Sequence, residues 1–333
     1  MFDTPSDAQD DLTRRARELA AAGEWTEVVR LLAPPPSSAA WGSELQLLRA
    51  EALNRVGDAR AARGWLEDVM PALVARGDRT SHRRALNLLG AACFFLGALD
   101  AASEAFSAAL EMASRDEDLL ILARATNNLG MIANLRGQHE TALGHYRLAV
   151  PTYQRLGQRR GLAESYHNIA ITYRDIGALD EADEYERRAI DYAAEVAPRV
   201  AAMGRIGRAE IALRRGDPLF ARGTSERAAI ELERLQDPVN EADAHRLAGA
   251  AAATLGRVAD AESRFERALS IARAGGHALI EAETLRDRAR ARAVQGRRAD
   301  ARQDAADAVS LFERLGAASE VDALQPLLGE ESP

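Results

Sequence analysis

Apolar residues recur at i, i+3 and i+4 along nearly the whole chain, in stretches broken by glycines in matching contexts. These are Gly57, Gly97, Gly137, Gly177, Gly216, Gly256 and Gly296, spaced 40 residues apart except for a single interval of 39 between Gly177 and Gly216. An eighth, Gly23, precedes Gly57 by 34 residues. Helical periodicity on both sides of each glycine predicts a repeated unit of helix, tight turn and helix. The glycine supplies the positive φ that ends the first helix. Eight such units leave no spacer long enough to be a linker, so the pattern predicts one continuous array.

Small residues keep the same register. Seven positions before the glycine stand Ala50, Gly90, Gly130, Ala170, Ala209, Gly249 and Ala289, and five after it stand Ala62, Ala102, Ala142, Ala182, Ala221, Ala261 and Ala301. Alanine returns twelve positions after it at Ala109, Ala149, Ala189, Ala228, Ala268 and Ala308. Small residues at fixed points on two successive helices let their axes approach, while Phe106, Tyr146 and Phe265 fill the gaps around them.

These positions resemble the tetratricopeptide repeat, with its small residue at position 8, glycine at 15 and alanines at 20 and 27. The segment Asn127 to Val150 (NNLGMIANLRGQHETALGHYRLAV) is similar to the family consensus, and the resemblance runs over about residues 10–315. The 40-residue period resembles the subgroup containing kinesin light chain, the Pins/LGN polarity adaptors and the bacterial Rap regulators. The resemblance implies an all-α, right-handed solenoid of eight helix-turn-helix repeats. Its parts are a short first repeat over 8–36, seven repeats over 42–315, and a capping helix and tail over 316–333.

Proline and glycine placement agrees with that register. Pro71 and Pro151 fall inside second helices, where proline removes a hydrogen bond and predicts a bend. Gly77, Gly157, Gly276 and Gly316 fall at position 35, where a left-handed cap stops the helix. Pro198 and Pro238 are expected in loops between repeats, Pro218 at the start of a second helix, and the Pro34–Pro36 run after the short first unit. That first unit has Val28 where alanine is expected. In the last unit Arg288 and Arg292 take positions that normally face the core, so either that helix is partly exposed or the arginines reach carboxylates.

Composition narrows the function classes. The 43 basic residues are all arginine, which removes the Walker A loop, the kinase lysine and Schiff-base chemistry. Arginine in place of lysine points to a GC-rich bacterial genome. One cysteine, Cys93, makes no internal disulfide or thiolate zinc site, and its core register predicts a buried, inert thiol. No apolar run is long enough to span a membrane, and the acidic start MFDTPSDAQDD has no signal-peptide core, so the expectation is a cytoplasmic protein with no membrane partner. The six histidines show no HxxxH or HExxH spacing, and neither GxSxG nor GxGxxG occurs. No enzyme, cofactor or metal site is expected. Acidic pairs such as Glu181/Glu184 and Asp183/Glu186 are expected on solvated helix surfaces.

The resemblance places positions 2, 5, 6, 9, 12 and 13 of each first helix on a concave groove. There they give Arg84, Asn87, Phe94 and Phe95; Arg124, Asn127, Asn128, Met131 and Asn134; then His167, Asn168 and Arg174. Asparagine both donates and accepts, which suits the backbone of an extended peptide, and arginine grips carboxylates. Asn128 and Asn168 stand at a consensus asparagine position and fit equally a bridge between neighbouring helices. Arg214, Arg246, Arg286 and Arg290, interleaved with Glu210, Asp243, Glu283 and Asp287, read as either a dock for an acidic segment or a solvated mixed-charge face. The absence of lysine excludes the carboxylate clamp of chaperone-binding relatives. From Arg286 to Arg302 seven arginines face two aspartates, but a net charge of −8 and no interleaved aromatic argue against nucleic acid. The function implied is a non-enzymatic scaffold or adaptor that binds a peptide or partner segment in the groove. The alternative is a peptide-responsive regulator resembling Rap proteins; its additional N-terminal bundle has no counterpart before the first repeat.

Overall fold

The computed structural model describes residues 5–34, 41–315 and 317–329, and every regular element among them is a helix. The chain forms two compact units, residues 1–161 and 162–333. The first carries α1 (Pro5–Ala22), α2 (Trp25–Leu31), α3 (Ser43–Arg55), α4 (Ala59–Ala75), α5 (Arg79–Phe95), α6 (Leu99–Arg115), α7 (Leu119–Leu135) and α8 (His139–Arg155). Helix α9 (Arg159–Asp175) spans the boundary. The second unit continues with α10 (Leu179–Ala193), α11 (Pro198–Arg214), α12 (Pro218–Arg234), α13 (Pro238–Thr254) and α14 (Val258–Gly275). It ends with α15 (Ala278–Val294), α16 (Arg298–Leu315) and α17 (Ala318–Leu328). Helices α1 to α16 are the eight expected helix pairs of a solenoid-type repeat fold, and α17 follows them.

The turns are built as the spacing predicts. All eight register glycines have positive φ, between 71° and 85°, and so do Gly77, Gly157 and Gly276 at the ends of second helices. Gly316, Pro35 and Pro36 lie outside the described residues. At two of the repeats that lack the second-helix glycine, Glu117 and Gln236 take the left-handed conformation instead, at φ 54° and 53°, whereas Ala197 at the same register has φ −152°. Aspartates cap several helix starts: Asp58, Asp78, Asp118, Asp217 and Asp237 accept the backbone N–H three residues on.

Two proline placements are corrected. Pro198 and Pro238 open α11 and α13 rather than lying in loops. At the first helical position the missing N–H is one that has no intrahelical partner, so proline costs nothing there. Pro71 and Pro151 lie within α4 and α8, which continue for four residues past each.

The close-contact positions explain the packing. A Cβ at Gly90 would stand 2.6 Å from the Phe106 ring, one at Gly130 2.5 Å from Tyr146, and one at Gly249 2.9 Å from Phe265. The ring of each second helix thus lies against bare backbone of the first. The register alanines Ala62, Ala102, Ala142, Ala182, Ala221 and Ala261 are buried, as is Val28 in the short first pair. Cys93 is buried beside Phe106 and Ile132, and burial pushes its thiol pKa up. At the far end Leu324 of α17 packs with Leu311 and Phe312. Arg288 and Arg292 reach carboxylates: Asp304, itself 3 % exposed, accepts from both at 2.7–2.8 Å, and Glu262 also binds Arg292.

Candidate functional site

Helices α5 and α7 are first helices of adjacent repeats in the first unit, and neither contains a single Asp or Glu. Eleven residues complete three helical turns with about 20° to spare, so positions i, i+4, i+7 and i+11 share one face. In α5 that file is Arg84, Leu88, Ala91 and Phe95; in α7 it is Arg124, Asn128, Met131 and Leu135. None of the eight is fully buried. Arg124 is exposed, and Phe95 and Leu135 keep 65 % and 61 % of their surface open. Each file is therefore cationic at its N-terminal end and apolar at its C-terminal end. Phe94 sits edge-on to Phe95, with ring centroids 5.9 Å apart.

The arginines of this region fall into two groups. Arg79 and Arg83 pair with Asp116 and Asp118 in the turn between α6 and α7, at 2.6–3.1 Å. These contacts hold both carboxylates below their ordinary pKa: for Asp116 the leading cause is the Arg79 hydrogen bond, while for Asp118 Arg83 overcomes an opposing burial effect. Arg84 and Arg124 have no ion-pair partner among the described residues.

The predicted asparagines are more deeply seated than the sequence reading anticipates. Asn87 and Asn127 are buried, at 8 % and 5 % exposure. Asn128 Nδ2 donates to Asn87 Oδ1 across the two helices at 3.4 Å, the bridging geometry open to a consensus asparagine. Asn134 Oδ1 lies 2.9 Å from His139 Nδ1 at the start of α8. These four organise the floor, and the side chains offered outward are those of the two files together with half-buried Phe94.

His167, Asn168 and Arg174 belong to the second unit, where arginines are consumed internally. Arg174 donates to Glu210 at 2.7 Å, and Arg214 donates to the same carboxylate and to the Arg174 carbonyl. Arg246, 7 % exposed, is clasped by Asp243 and Asp287, and Arg286 bonds Asp287 and Glu320. Burial disfavours the Arg246 charge, but Asp243, Asp287 and Glu283 outweigh it and raise its pKa. These residues thus form a ladder of ion pairs joining α9 to α11, α13 to α15 and α15 to α17, rather than a vacant dock for an acidic segment or a freely solvated face.

One sequence expectation fails outright. Asp183 and Glu186 are buried, Glu186 at 1 % exposure, whereas Glu184 is exposed as expected. Glu186 stands nine residues after Gly177, where Phe106, Tyr146 and Phe265 stand in their repeats, so the register carries it into the core. Its carboxylate meets His167 Nδ1 at 3.0 and 3.1 Å. Burial holds the Glu186 pKa up against the opposing pull of His167, Arg174 and Arg208. Leu135 was not singled out by the sequence reading; its distance of eleven residues from Arg124 is the signal that marks it.

Comparison with known proteins agrees with this architecture. Tetratricopeptide-repeat family models match residues 84–116 and 121–195. A comparison with curated protein sequences returns no match. Among solved structures, a Rap protein in complex with competence and sporulation factor is 12 % identical, with 97 % of each chain covered and a TM-score of 0.64. NprR in complex with its cognate peptide NprX is 12 % identical over 98 % of this chain and 97 % of that one, with a TM-score of 0.61. A tetratricopeptide repeat protein from Parabacteroides merdae is 15 % identical over 86 % and 97 %, with a TM-score of 0.55. No helix among the described residues is long and apolar enough to cross a membrane. In its 40-residue register and its helix-pair fold the chain resembles tetratricopeptide-repeat proteins, whose family models match residues 84–116 and 121–195, and Rap-type repeats among them.

Proposed function

We propose that this chain is a cytoplasmic, non-enzymatic interaction scaffold that binds an extended segment of a partner protein on the first-helix face of its repeats. The observation that carries the reading is the pair of files on α5 and α7, where Phe95 and Leu135 are held open to solvent on adjacent, well-packed helices. A preformed face of this kind loses little ordering entropy when an extended ligand docks. Of the residues expected to make contact, Arg84, Phe94, Arg124, Asn128 and Met131 remain available in the first unit, and Asn87, Asn127 and Asn134 support them. The 40-residue register continues in sequence through α9, so we read the chain as a single repeat array.

The test is a double replacement, Phe95→Ser with Leu135→Ser, which changes exposed side chains and leaves helicity intact. Partner capture that survives it unchanged removes this face from consideration. A peptide-responsive regulator is the second reading, supported by similarity in fold to the Rap and NprR structures solved with peptides. Small-angle scattering with and without bound peptide separates the two. A profile altered on binding favours the regulator, and an unaltered one favours the adaptor.

A further inference from the structure

We infer that the segment accepted by α5 and α7 is anionic and amphipathic, with an acidic side chain about five residues from a large apolar one. This rests on the reading that the face binds a partner segment, and it adds that segment's chemistry. Helices α5 and α7 have no acidic residue, in a chain whose net charge is −8. Two of their arginines, Arg79 and Arg83, are neutralised by Asp116 and Asp118. The other two, Arg84 and Arg124, occupy the same register position one repeat apart and have no ion-pair partner among the described residues. Their counter-charge is therefore left for the ligand.

The same register position in the second unit shows what an internally satisfied face looks like. There it holds Glu164, Met203, Asp243 and Glu283, and Asp243 is tied to Arg246. An acidic segment meets arginines such as Arg174, Arg214, Arg246 and Arg286 already engaged on the first helices of that unit, and unengaged ones on α5 and α7.

The spacing follows from the helix. Arg84 to Phe95 and Arg124 to Leu135 are each eleven residues, about 16 Å at about 1.5 Å per residue. A segment laid along the files in extended form covers that distance in about five residues at about 3.3 Å each. The apolar side chain then rests against Phe95, Met131 and Leu135, while its acidic residue bonds one or both guanidiniums. Phe94, edge-on to Phe95, adds apolar surface at that end.

The experiment is selection of a random dodecapeptide display library on the full chain, followed by titration of synthetic winners. The expected winners carry Asp or Glu about five residues from Trp, Phe, Leu or Met. Their affinity for R84E/R124E falls at least tenfold, and peptides with Lys in place of the acid regain binding to that variant. Circular dichroism confirms that the variant folds. Winners without the acid, or binding untouched by R84E/R124E, overturn the inference while leaving the interaction reading intact. A library that yields no binder to the α5–α7 face overturns both. Competition by a poly-dT oligonucleotide as strong as that of the acidic peptide would instead assign the arginines to nucleic acid and overturn the peptide assignment.

Discussion

Gly207 on α11 lies so close to Glu186 on α10 that a methyl group at Gly207 would overlap the carboxylate oxygen Oε1. Gly204, one turn earlier, faces the other oxygen, with an added Cβ falling 3.2 Å from Oε2. The polar core of the second unit is therefore admitted by two glycines in the next helix.

Gly207→Ala tests that contact. On helix propensity alone the change would stabilise α11 by up to about 1 kcal/mol. Overpacking against Glu186 reverses the sign, for a net loss of about 1–3 kcal/mol. Urea unfolding followed by circular dichroism measures it. Adding Glu186→Ser, the residue type of the equivalent position Ser225, recovers part of the loss. A Gly207→Ala variant as stable as the parent would show that the carboxylate moves aside freely.

Asp304 neutralises two arginines at core positions of the last repeat, so Asp304→Asn leaves Arg288 facing a neutral amide and Arg292 paired with Glu262 alone. Removing one member of a buried ionic cluster costs about 3 kcal/mol. Amide exchange in α15 and α16 should accelerate while α5 and α7 stay protected. Uniform exchange across the chain would contradict this local role.

His245 on α13 is partly buried, and its pKa is lowered to about 4, first by burial and then by the charges of Arg264 and Arg267. Its imidazole is neutral in the folded chain and takes up a proton more readily when unfolded. The stability this provides is present above the unfolded value near pH 6.5 and is lost as pH falls toward 4. Over that window its contribution is about 1–3 kcal/mol, discounted for partial solvent access. The urea midpoint of His245→Gln should depend less on pH between 7 and 4 than that of the parent. Identical pH profiles would refute the assignment.

Glu117 and Gln236 hold a left-handed conformation that disfavours side chains. Glu117→Gly and Gln236→Gly should each raise stability by about 0.5–1 kcal/mol, read as an increased melting temperature. Alanine at either position should give no such increase. A melting temperature unchanged or lowered by glycine would rule out strain at these turns.

Much of the fold was legible because one-residue constraints repeat. A turn needing positive φ selects glycine, and a ring resting on a neighbouring helix selects Gly90, Gly130 and Gly249, so the period could be counted directly. What stayed hidden depends on which side chain reaches which. Glu186 looks like a surface carboxylate beside Glu184, and only its place nine residues after Gly177 shows that it enters the core. The ion ladder from Arg174 to Glu320 likewise joins residues 34 to 41 positions apart, which composition presents merely as mixed charge. Asn87 and Asn127, read in sequence as ligand contacts, lie 8 % and 5 % exposed, a burial that their polar character alone did not reveal.

The absence of acid from α5 and α7 has a consequence for how fast a partner arrives. An anionic segment approaching a chain of net charge −8 is repelled out to roughly the Debye length, about 30 Å at 0.01 M salt and about 8 Å at 0.15 M, and is screened beyond it. Only in the last few ångströms does the attraction of Arg84 and Arg124 prevail. Moderate salt shortens the repulsive reach before it weakens the contact pair. Association should therefore quicken between low and physiological ionic strength, opposite to the usual behaviour of electrostatically steered complexes.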